Sequence, residues 1–252
     1  MLSVNAEIQD PSAATAVVYD PFTGEMRFVP SVFTVKNGKT DVTVTRNTNS
    51  MYAIVQNKKT FDDMSEHWAK KDVESLAAKM IIQGITDRAF TPDLQVTRAQ
   101  FAALLVRGLG LGLELELELE AATESQIFTD VADTEWYALE VATAAKYGLV
   151  QGVGENKFEP DRLITREQMV VMIMNAVRLV KGTTPTEVSN YMMPFSDHNQ
   201  FSDYARSAVA EAAKDGLVHG KTEATFAPQE AATRAEAAVL IKQAMQHLKL
   251  LN

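Results

Sequence analysis

Three arginines recur at a fixed interval in this sequence, because Arg98, Arg166 and Arg234 lie 68 residues apart. Each follows a threonine and precedes a Gln or Glu by two positions, and Thr-x-x-Gln/Glu is the capping box that opens an α-helix. At the first helical position, free backbone N–H groups and a partial positive charge favour anions, and a guanidinium adds a planar fork suited to a carboxylate. The pattern predicts three anion pockets, with a structural Arg–Asp pair between repeats as the alternative. The capping residues are Thr97, Thr165 and Thr233, with Gln100, Gln168 and Glu236.

Three other residue types recur with the arginines and suit a sugar ligand. They are the aromatics Trp68, Trp136 and Tyr204, the aspartates Asp63, Asp130 and Asp197, and the glycines Gly84, Gly152 and Gly220. An aromatic ring offers a flat face to a sugar, a carboxylate accepts from hydroxyls or holds the arginine, and glycine lets the backbone approach a ligand closely. The alternatives are an aromatic in the core and an aspartate that caps the first helix or pairs with an arginine.

The shared spacing shows that most of the chain consists of three copies of one unit. Phe90, Phe158 and Phe226 keep the same interval of 68 residues as the arginines, and a proline follows each of them by two positions. The predicted organisation is a β-rich segment at 1–60, repeat 1 at 61–112, an LE-rich linker at 113–127, repeat 2 at 128–182, a linker at 183–194 and repeat 3 at 195–252.

Each repeat is predicted to form a helix, a tight turn and a second helix. In repeat 1 the apolar residues of DVESLAAKMIIQG share one helical face, and Gly84 is the predicted C-cap. The Phe-x-Pro turn follows, and the capping box then opens the second helix. Neither helix can bury its apolar face alone, so the copies must pack on one another. The fold class is therefore mainly α.

Residues 1–60 have a different character, with many β-branched residues and turn dipeptides. Strands are predicted around residues 20–24, in a hairpin around Asn37-Gly38, and in SMYAIVQN. The segment is either the tail of a larger β domain or a small sheet packed on the repeats. The LELELELE run at 113–120 fits a helix extension or solvated linker, with an edge strand as the alternative.

Composition excludes several classes of function. The 252 residues carry 24 Lys and Arg against 33 Asp and Glu, a net charge of −9, which disfavours nucleic acid as a partner. The chain has no cysteine, so disulfides, thiolate zinc sites and cysteine nucleophiles are excluded. No apolar run approaches the roughly 18 residues of a membrane span, and the start does not resemble a signal peptide, which suggests a truncated exported protein. The four histidines are scattered, so we expect neither a metal nor a cofactor, and no catalytic motif occurs.

These repeated motifs resemble the S-layer homology (SLH) domain. The resemblance rests on Phe-x-Asp at 61–63, 128–130 and 195–197, the aromatic seven to nine residues later, the glycine, the Phe-x-Pro turn and the Thr-Arg box. It implies three SLH repeats in a pseudo-threefold helical spindle. It also implies an extracellular protein held non-covalently on a Gram-positive-type cell wall. The implied partner is an anionic secondary cell-wall polymer, in many cases bearing pyruvylated N-acetylmannosamine.

We therefore expect a non-catalytic anchoring module that binds the polymer in grooves between repeats. The alternatives are a self-association module of a surface lattice and the anchor fragment of a wall hydrolase. The copies are not equivalent, because only repeat 3 has Thr-Arg-Ala-Glu, whereas repeat 2 has Glu167 in place of alanine. One or two competent sites are expected rather than three.

Overall fold

The computed structural model describes residues 2–4, 8, 10, 13–45, 50–111, 127–184 and 195–252. The prediction for the LELELELE run, and that for most of the second linker, therefore lie outside the described residues.

The β-rich segment contains the strands β1 Leu2–Val4, β2 Ala14–Tyr19, β3 Met26–Val29, β4 Ser31–Lys36, β5 Lys39–Val44 and β6 Tyr52–Gln56. These strands form two antiparallel sheets of three strands each, ordered β1-β5-β4 and β3-β2-β6. Asn37 and Gly38 join β4 to β5 with φ of 52° and 73°, the left-handed pair that a two-residue hairpin requires. The predicted strands are present, and β1 is an additional strand that the sequence patterns did not indicate.

The repeats contribute two helices each, so the described part of the chain is mainly helical. The helices are α1 Lys70–Ala78, α2 Arg98–Leu109, α3 Ala138–Lys146, α4 Arg166–Lys181, α5 Asp203–Lys214 and α6 Arg234–His247. Short 3-10 turns at Asp62–Met64 and His198–Gln200 precede the first helix of repeats 1 and 3.

The first helix of each repeat ends earlier than the sequence predicted. The prediction of Gly84 as the C-cap was wrong, because α1 ends at Ala78. Met80 adopts a left-handed φ of 63°, and the Ile81 N–H donates to the Leu76 carbonyl at 3.0 Å, which closes the helix in a Schellman motif. The residues equivalent to Met80 are Gly148 and Gly216, with φ of 68° and 70°, so Gly152 and Gly220 also lie beyond their helices.

The second helix of each repeat packs on the first helix of the next repeat, as α2 on α3, α4 on α5 and α6 on α1. An ion pair accompanies each contact: Arg107–Glu140 at 2.8 Å, Arg178–Glu211 at 2.5 Å and Lys242–Asp72 at 2.7 Å. The extended residues before the second helices also bridge one another, as Gln95 with Thr233, Thr97 with Leu163 and Thr165 with Ala231. The contacts thus run from repeat 1 to 2, from 2 to 3, and from 3 back to 1.

One continuous hydrophobic core extends through all three repeats and includes Phe28 of β3. The β-rich segment has its own small cluster and is attached to the repeats by polar contacts. The Asn252 side chain accepts from the Phe33 N–H at 2.8 Å and donates to the Phe33 carbonyl at 3.0 Å, and the Ser31 N–H donates to the Leu250 carbonyl at 3.0 Å. In the described residues, the segment therefore packs directly on the repeats.

Lys79 makes a further contact between the two parts of the molecule. Its side chain is 1% exposed, and its Nζ donates to the Ala14 carbonyl at the start of β2 at 2.5 Å. Burial lowers the pKa of Lys79 from 10.5 to about 8, with repulsion from Lys242 acting the same way and Asp10 opposing it. Below pH 8 the folded protein must therefore keep a buried ammonium charged.

This penalty predicts a pH-dependent effect of Lys79→Met. Because the folded pKa is depressed, the penalty is present in full below about pH 8 and disappears as the pH rises towards 10.5. Relative to the variant, the wild type should gain about 3 kcal/mol in the free energy of unfolding between pH 7 and 10.5. Urea denaturation across this range measures the difference, with the exposed Lys71→Met as the control. A difference that stays constant with pH would contradict the assignment.

Candidate ligand-binding grooves

The second helix of every repeat begins with a complete capping box. Thr97 Oγ1 accepts the Gln100 N–H at 3.2 Å, and Gln100 Oε1 accepts the Thr97 N–H at 3.0 Å. Thr165 with Gln168 and Thr233 with Glu236 make the same reciprocal pair. Each arginine consequently occupies the first helical position, as the sequence indicated.

The backbone N–H groups at these helix starts are not free for a ligand, contrary to the prediction. The Arg98 N–H donates to the Arg162 carbonyl at 2.9 Å, and the Ala99 N–H donates to the Pro160 carbonyl at 3.0 Å. In repeat 2 the N–H groups of Arg166 and Glu167 donate to the carbonyls of Glu230 and Pro228. In repeat 3 those of Arg234 and Ala235 donate to the carbonyls of Leu94 and Pro92. The donors instead bind the next repeat to the helix, so only the arginine side chain is available to an anion.

The arginine side chains dock on the Phe-x-Pro turn of the next repeat. Arg98 is 4% exposed; its Nε donates to the Phe158 carbonyl at 2.9 Å, and its guanidinium carbon lies 4.7 Å from the centre of the Phe158 ring. Arg166 docks on Phe226 in the same way, with 2.8 Å from Nε to the carbonyl oxygen and 4.8 Å from the guanidinium carbon to the ring centre. For Arg234 on Phe90 the same two distances are 2.9 and 4.5 Å. Burial lowers the pKa of Arg98 and of Arg234, yet arginine remains cationic in proteins. Each guanidinium is thus held in one position by a neighbouring repeat.

The aspartates hold the turns on which the arginines dock. Asp197 accepts the Phe226 N–H at 3.0 Å and the Ala227 N–H at 2.7 Å, and Ala227 has a left-handed φ of 58° just before a proline. Asp63 binds Phe90 and Thr91 in this way, and Asp130 binds Phe158 and Glu159. Within the described residues, these aspartates therefore bind turn N–H groups and neither cap a helix nor pair with an arginine. The aspartate positions the arginine indirectly, through the turn.

The charge of Asp63 is stabilised by these bonds. Burial acts to raise the pKa of Asp63, but the hydrogen bonds from the Phe90 and Thr91 N–H groups outweigh it, and the pKa is lowered overall. The carboxylate therefore stays ionised and keeps both acceptor oxygens directed to the turn.

The repeated glycines are required by close packing of the chain on itself. A Cβ on Gly220 would lie 2.7 Å from the Thr225 carbonyl oxygen and closer still to that of Thr222. A Cβ on Gly84 would lie 2.7 Å from the Ala89 carbonyl oxygen and 2.6 Å from the ring of Phe61. The glycines let the loop between the first helix and the turn fold back tightly over itself.

Each arginine meets a glycine and an aromatic in a groove to which all three repeats contribute. Groove A contains Arg234, Gly84 and Trp136; groove B contains Arg166, Gly220 and Trp68; groove C contains Arg98, Gly152 and Tyr204. Their cavity volumes are about 170, 440 and 730 Å³ respectively. The predicted arginines, glycines and aromatics are thus brought together, while the aspartates lie behind the turns and are not among the lining residues.

The aromatics are exposed at the groove edges, which argues against the core alternative. Trp68 is 65% exposed, Trp136 56% and Tyr204 58%. Around Trp136 the guanidinium carbon of Arg107 lies 5.9 Å from the ring centre. More than half of the surface of each aromatic residue is exposed to solvent, so a ligand can reach it.

The grooves differ in how their arginine is neutralised. In groove B, Arg166 forms an ion pair with Glu236 at 2.5 Å, and both residues line the groove. The residues equivalent to Glu236 are uncharged, Gln100 in groove A and Gln168 in groove C. From its position in the sequence, Glu236 was predicted only to be part of its own capping box. The difference between Glu and Gln at this position was the signal for its second role.

Groove C contains a carboxylate that the sequence analysis did not assign to a site. Glu167 is 1% exposed and accepts from the Ser202 hydroxyl at 2.6 Å, the Ser202 N–H at 3.0 Å and the Tyr204 hydroxyl at 3.0 Å. Its oxygens are thus engaged by repeat 3, and it fixes the tip of Tyr204 at the edge of the groove.

Within the described ranges, no group of three or more His, Asp or Glu side chains is placed to hold a metal ion.

No helix in the described part of the chain has the length and apolar character needed to cross a membrane.

Comparison with known proteins identifies the family. The S-layer homology domain matches residues 60–102, 127–170 and 194–238. The chain is 37% identical over 238 residues, 94% of its length, to an amylopullulanase of Thermoanaerobacterium thermosulfurigenes, and 36% identical over 188 residues to the exoglucanase XynX of Acetivibrio thermocellus. It is 26% identical over 166 residues to a cellulosome-anchoring protein of Acetivibrio thermocellus. These matches cover 12%, 16% and 35% of the relatives' own lengths. The chain therefore belongs to the S-layer homology domain family and carries three tandem copies of that domain.

Proposed function

We propose that this chain is a non-catalytic module that anchors a larger extracellular protein to the cell wall by binding an anionic secondary cell-wall polymer. The observation that carries the proposal is the recurrence of one arginine, one glycine and one exposed aromatic in each of the three grooves. The S-layer homology family and the relative named as a cellulosome-anchoring protein support it.

The ligand we propose is a polymer bearing pyruvylated N-acetylmannosamine. A pyruvyl ketal carries a carboxylate, which can accept from the remaining N–H groups of the fixed guanidinium. In Arg98 and Arg234, Nε and one N–H of NH2 already donate to backbone carbonyls. The exposed aromatic offers an apolar face to the sugar ring, and the glycine leaves room beside the arginine. We further propose that the repeats are arranged as a pseudo-threefold spindle, which the cyclic order of contacts from repeat 1 to 2 to 3 to 1 supports.

Grooves A and C are proposed as the competent sites. In groove B the carboxylate of Glu236 already satisfies Arg166 from inside the groove, so a ligand carboxylate would have to displace it. In groove A the lining residues include Arg234 and Arg107, and among the described residues no acidic side chain lines it. In groove C the one lining carboxylate is bonded to Ser202 and Tyr204 rather than to Arg98.

Exchanging Gln and Glu at the box position tests this proposal without removing the arginines. Gln100→Glu and Gln168→Glu should each place a carboxylate beside the arginine while preserving the capping box, and the double variant should bind walls at least tenfold more weakly, roughly the loss of one charge-assisted bond per groove. Glu236→Gln should strengthen binding by freeing Arg166. Sedimentation with purified walls that carry a pyruvylated polymer measures the affinity.

Two controls test the need for the pyruvyl group and the folding of the variants. The wild-type protein should no longer bind walls treated with mild acid to remove the ketal. Thermal melting should show that the variants at positions 100, 168 and 236 remain folded. Unchanged binding of the double variant would exclude the arginine grooves, whereas undiminished binding to acid-treated walls would exclude the pyruvyl group as the ligand.

A second candidate function is self-association in a surface lattice. A match at 25% identity over 184 residues to a surface-layer protein of Lysinibacillus sphaericus favours it. Light scattering with and without wall polymer separates the two functions, because assembly that is indifferent to the polymer would favour the lattice. We also propose that the larger protein carries a polysaccharide-degrading catalytic part, as the names of the amylopullulanase and exoglucanase relatives suggest.

A further inference from the structure

Groove C is longer than the other two grooves. Its lining on α4 follows one helical face from Thr165 through Gln168, Met172 and Asn175 to Arg178. At about 1.5 Å per residue these positions span about 20 Å of helix. The second-helix residues that line grooves A and B extend only over 100–107 and 236–243, about 10 Å each. Groove C can therefore accept a longer stretch of an extended ligand.

The two ends of groove C each carry a guanidinium. Arg98 lies near the start of α4, since its N–H donates to the Arg162 carbonyl at 2.9 Å. Arg178 lies at the far end, thirteen residues beyond Thr165. The equivalent residues in the other repeats are Gly110 and Gln246, so repeat 2 alone has an arginine at this helical position. The second arginine of groove A, Arg107, lies three positions earlier on its own helix.

Arg178 is incompletely satisfied by the protein. Its NH2 group donates to Glu211 at 2.5 Å, while its Nε–H is buried and has no hydrogen-bond partner in the described part of the chain. A buried donor without a partner is unfavourable, and its retention calls for an explanation. Glu211 packs from α5 and is not among the residues that line groove C.

We propose that Arg178 is a second anion-binding residue, so that groove C holds a stretch of polymer with one anionic group at Arg98 and another at Arg178. This inference rests on the proposed wall-polymer function. It assigns groove C to internal, repeated units of the polymer. It assigns the shorter groove A, with a volume of about 170 Å³, to a single anionic unit.

Fragments of the pyruvylated wall polymer, sorted by size to carry one or two pyruvyl groups, provide the test by isothermal titration calorimetry. The wild type should bind the two-group fragment at least tenfold more tightly than the one-group fragment. Arg178→Gln should abolish this preference and leave the affinity for the one-group fragment unchanged. Arg206→Gln, a surface arginine outside the groove, is the matched control and should behave as the wild type does.

Glu211→Gln is the control for a purely structural effect of the Arg178→Gln substitution. Both substitutions break the Arg178–Glu211 pair, but only Glu211→Gln leaves the guanidinium free, so it should keep or increase the preference for two groups. If Arg178→Gln keeps the preference, or both variants lose it together, the second site is excluded. If neither fragment binds the wild type, the wall-polymer function itself fails, and the inference fails with it.

Discussion

Replacing Asp197 with alanine is expected to lower the free energy of unfolding by about 3 kcal/mol, because two charge-assisted hydrogen bonds to the turn are lost. The carboxylate is nearly buried and holds the N–H groups of Phe226 and Ala227, which have no other partner in the described part of the chain. The same change should weaken the docking of Arg166, whose Nε donates to the Phe226 carbonyl. Urea denaturation measures the loss.

Two related variants sharpen this prediction. Asp63 makes the equivalent bonds from a more exposed position than Asp197, so Asp63→Ala should cost less, about 1 kcal/mol. Ala227→Gly, added to Asp197→Ala, should recover about 1 kcal/mol, because glycine adopts the left-handed φ of 58° without strain. Equal losses at Asp63 and Asp197 would show that the burial of the carboxylate does not set its contribution. No recovery with glycine would show that Ala227 is not strained in the turn.

Gly220→Ala is expected to destabilise the fold by more than about 3 kcal/mol, as overpacking against rigid backbone does at the upper end of its range. The added Cβ would collide with the carbonyl oxygens of Thr222 and Thr225, and backbone atoms cannot rotate away as a flexible side chain can. The loop must then open, which displaces a wall of groove B. Thermal melting followed by circular dichroism measures the effect.

Gly216→Ala is the matched control in the same loop. Gly216 has a left-handed φ of 70° but open space around the position of a Cβ, so alanine there should cost only about 1 kcal/mol. The comparison separates steric collision from backbone strain. Similar losses at the two positions would mean that the loop accommodates the Cβ of residue 220.

Local features of the fold could be predicted from the sequence because their determinants lie within a few residues. The capping box at Thr97 and Gln100 needs only a three-residue spacing, and the Asn37-Gly38 hairpin needs only its two turn residues. The end of α1 was mispredicted at Gly84. Met80 takes the left-handed conformation that glycine takes at the same place in repeats 2 and 3, and residue type alone did not reveal this.

The composition of the grooves could not be predicted, because spacing identifies equivalent residues but not which repeats touch. The arginine, glycine and aromatic of one groove come from three different repeats, as Arg98, Gly152 and Tyr204 do. The bonds that occupy the helix N–H groups, such as that from Arg98 to the Arg162 carbonyl, also join separate repeats. A pattern within one repeat carries no information about such partners.

The closed order of contacts makes the triplet the smallest unit that contains a complete groove. Arg234 of repeat 3 docks on Phe90 of repeat 1, so removing any one repeat opens two of the three junctions. In a linear array each repeat contacts only its neighbours, so deleting a terminal copy opens a single junction. Here a pair of repeats has no complete groove. It exposes one arginine and one phenylalanine that would each have docked on the missing repeat, and these two surfaces can dock on each other in different chains. Truncated chains are therefore expected to pair with one another, and to regain a full groove only by borrowing the missing repeat from a second chain.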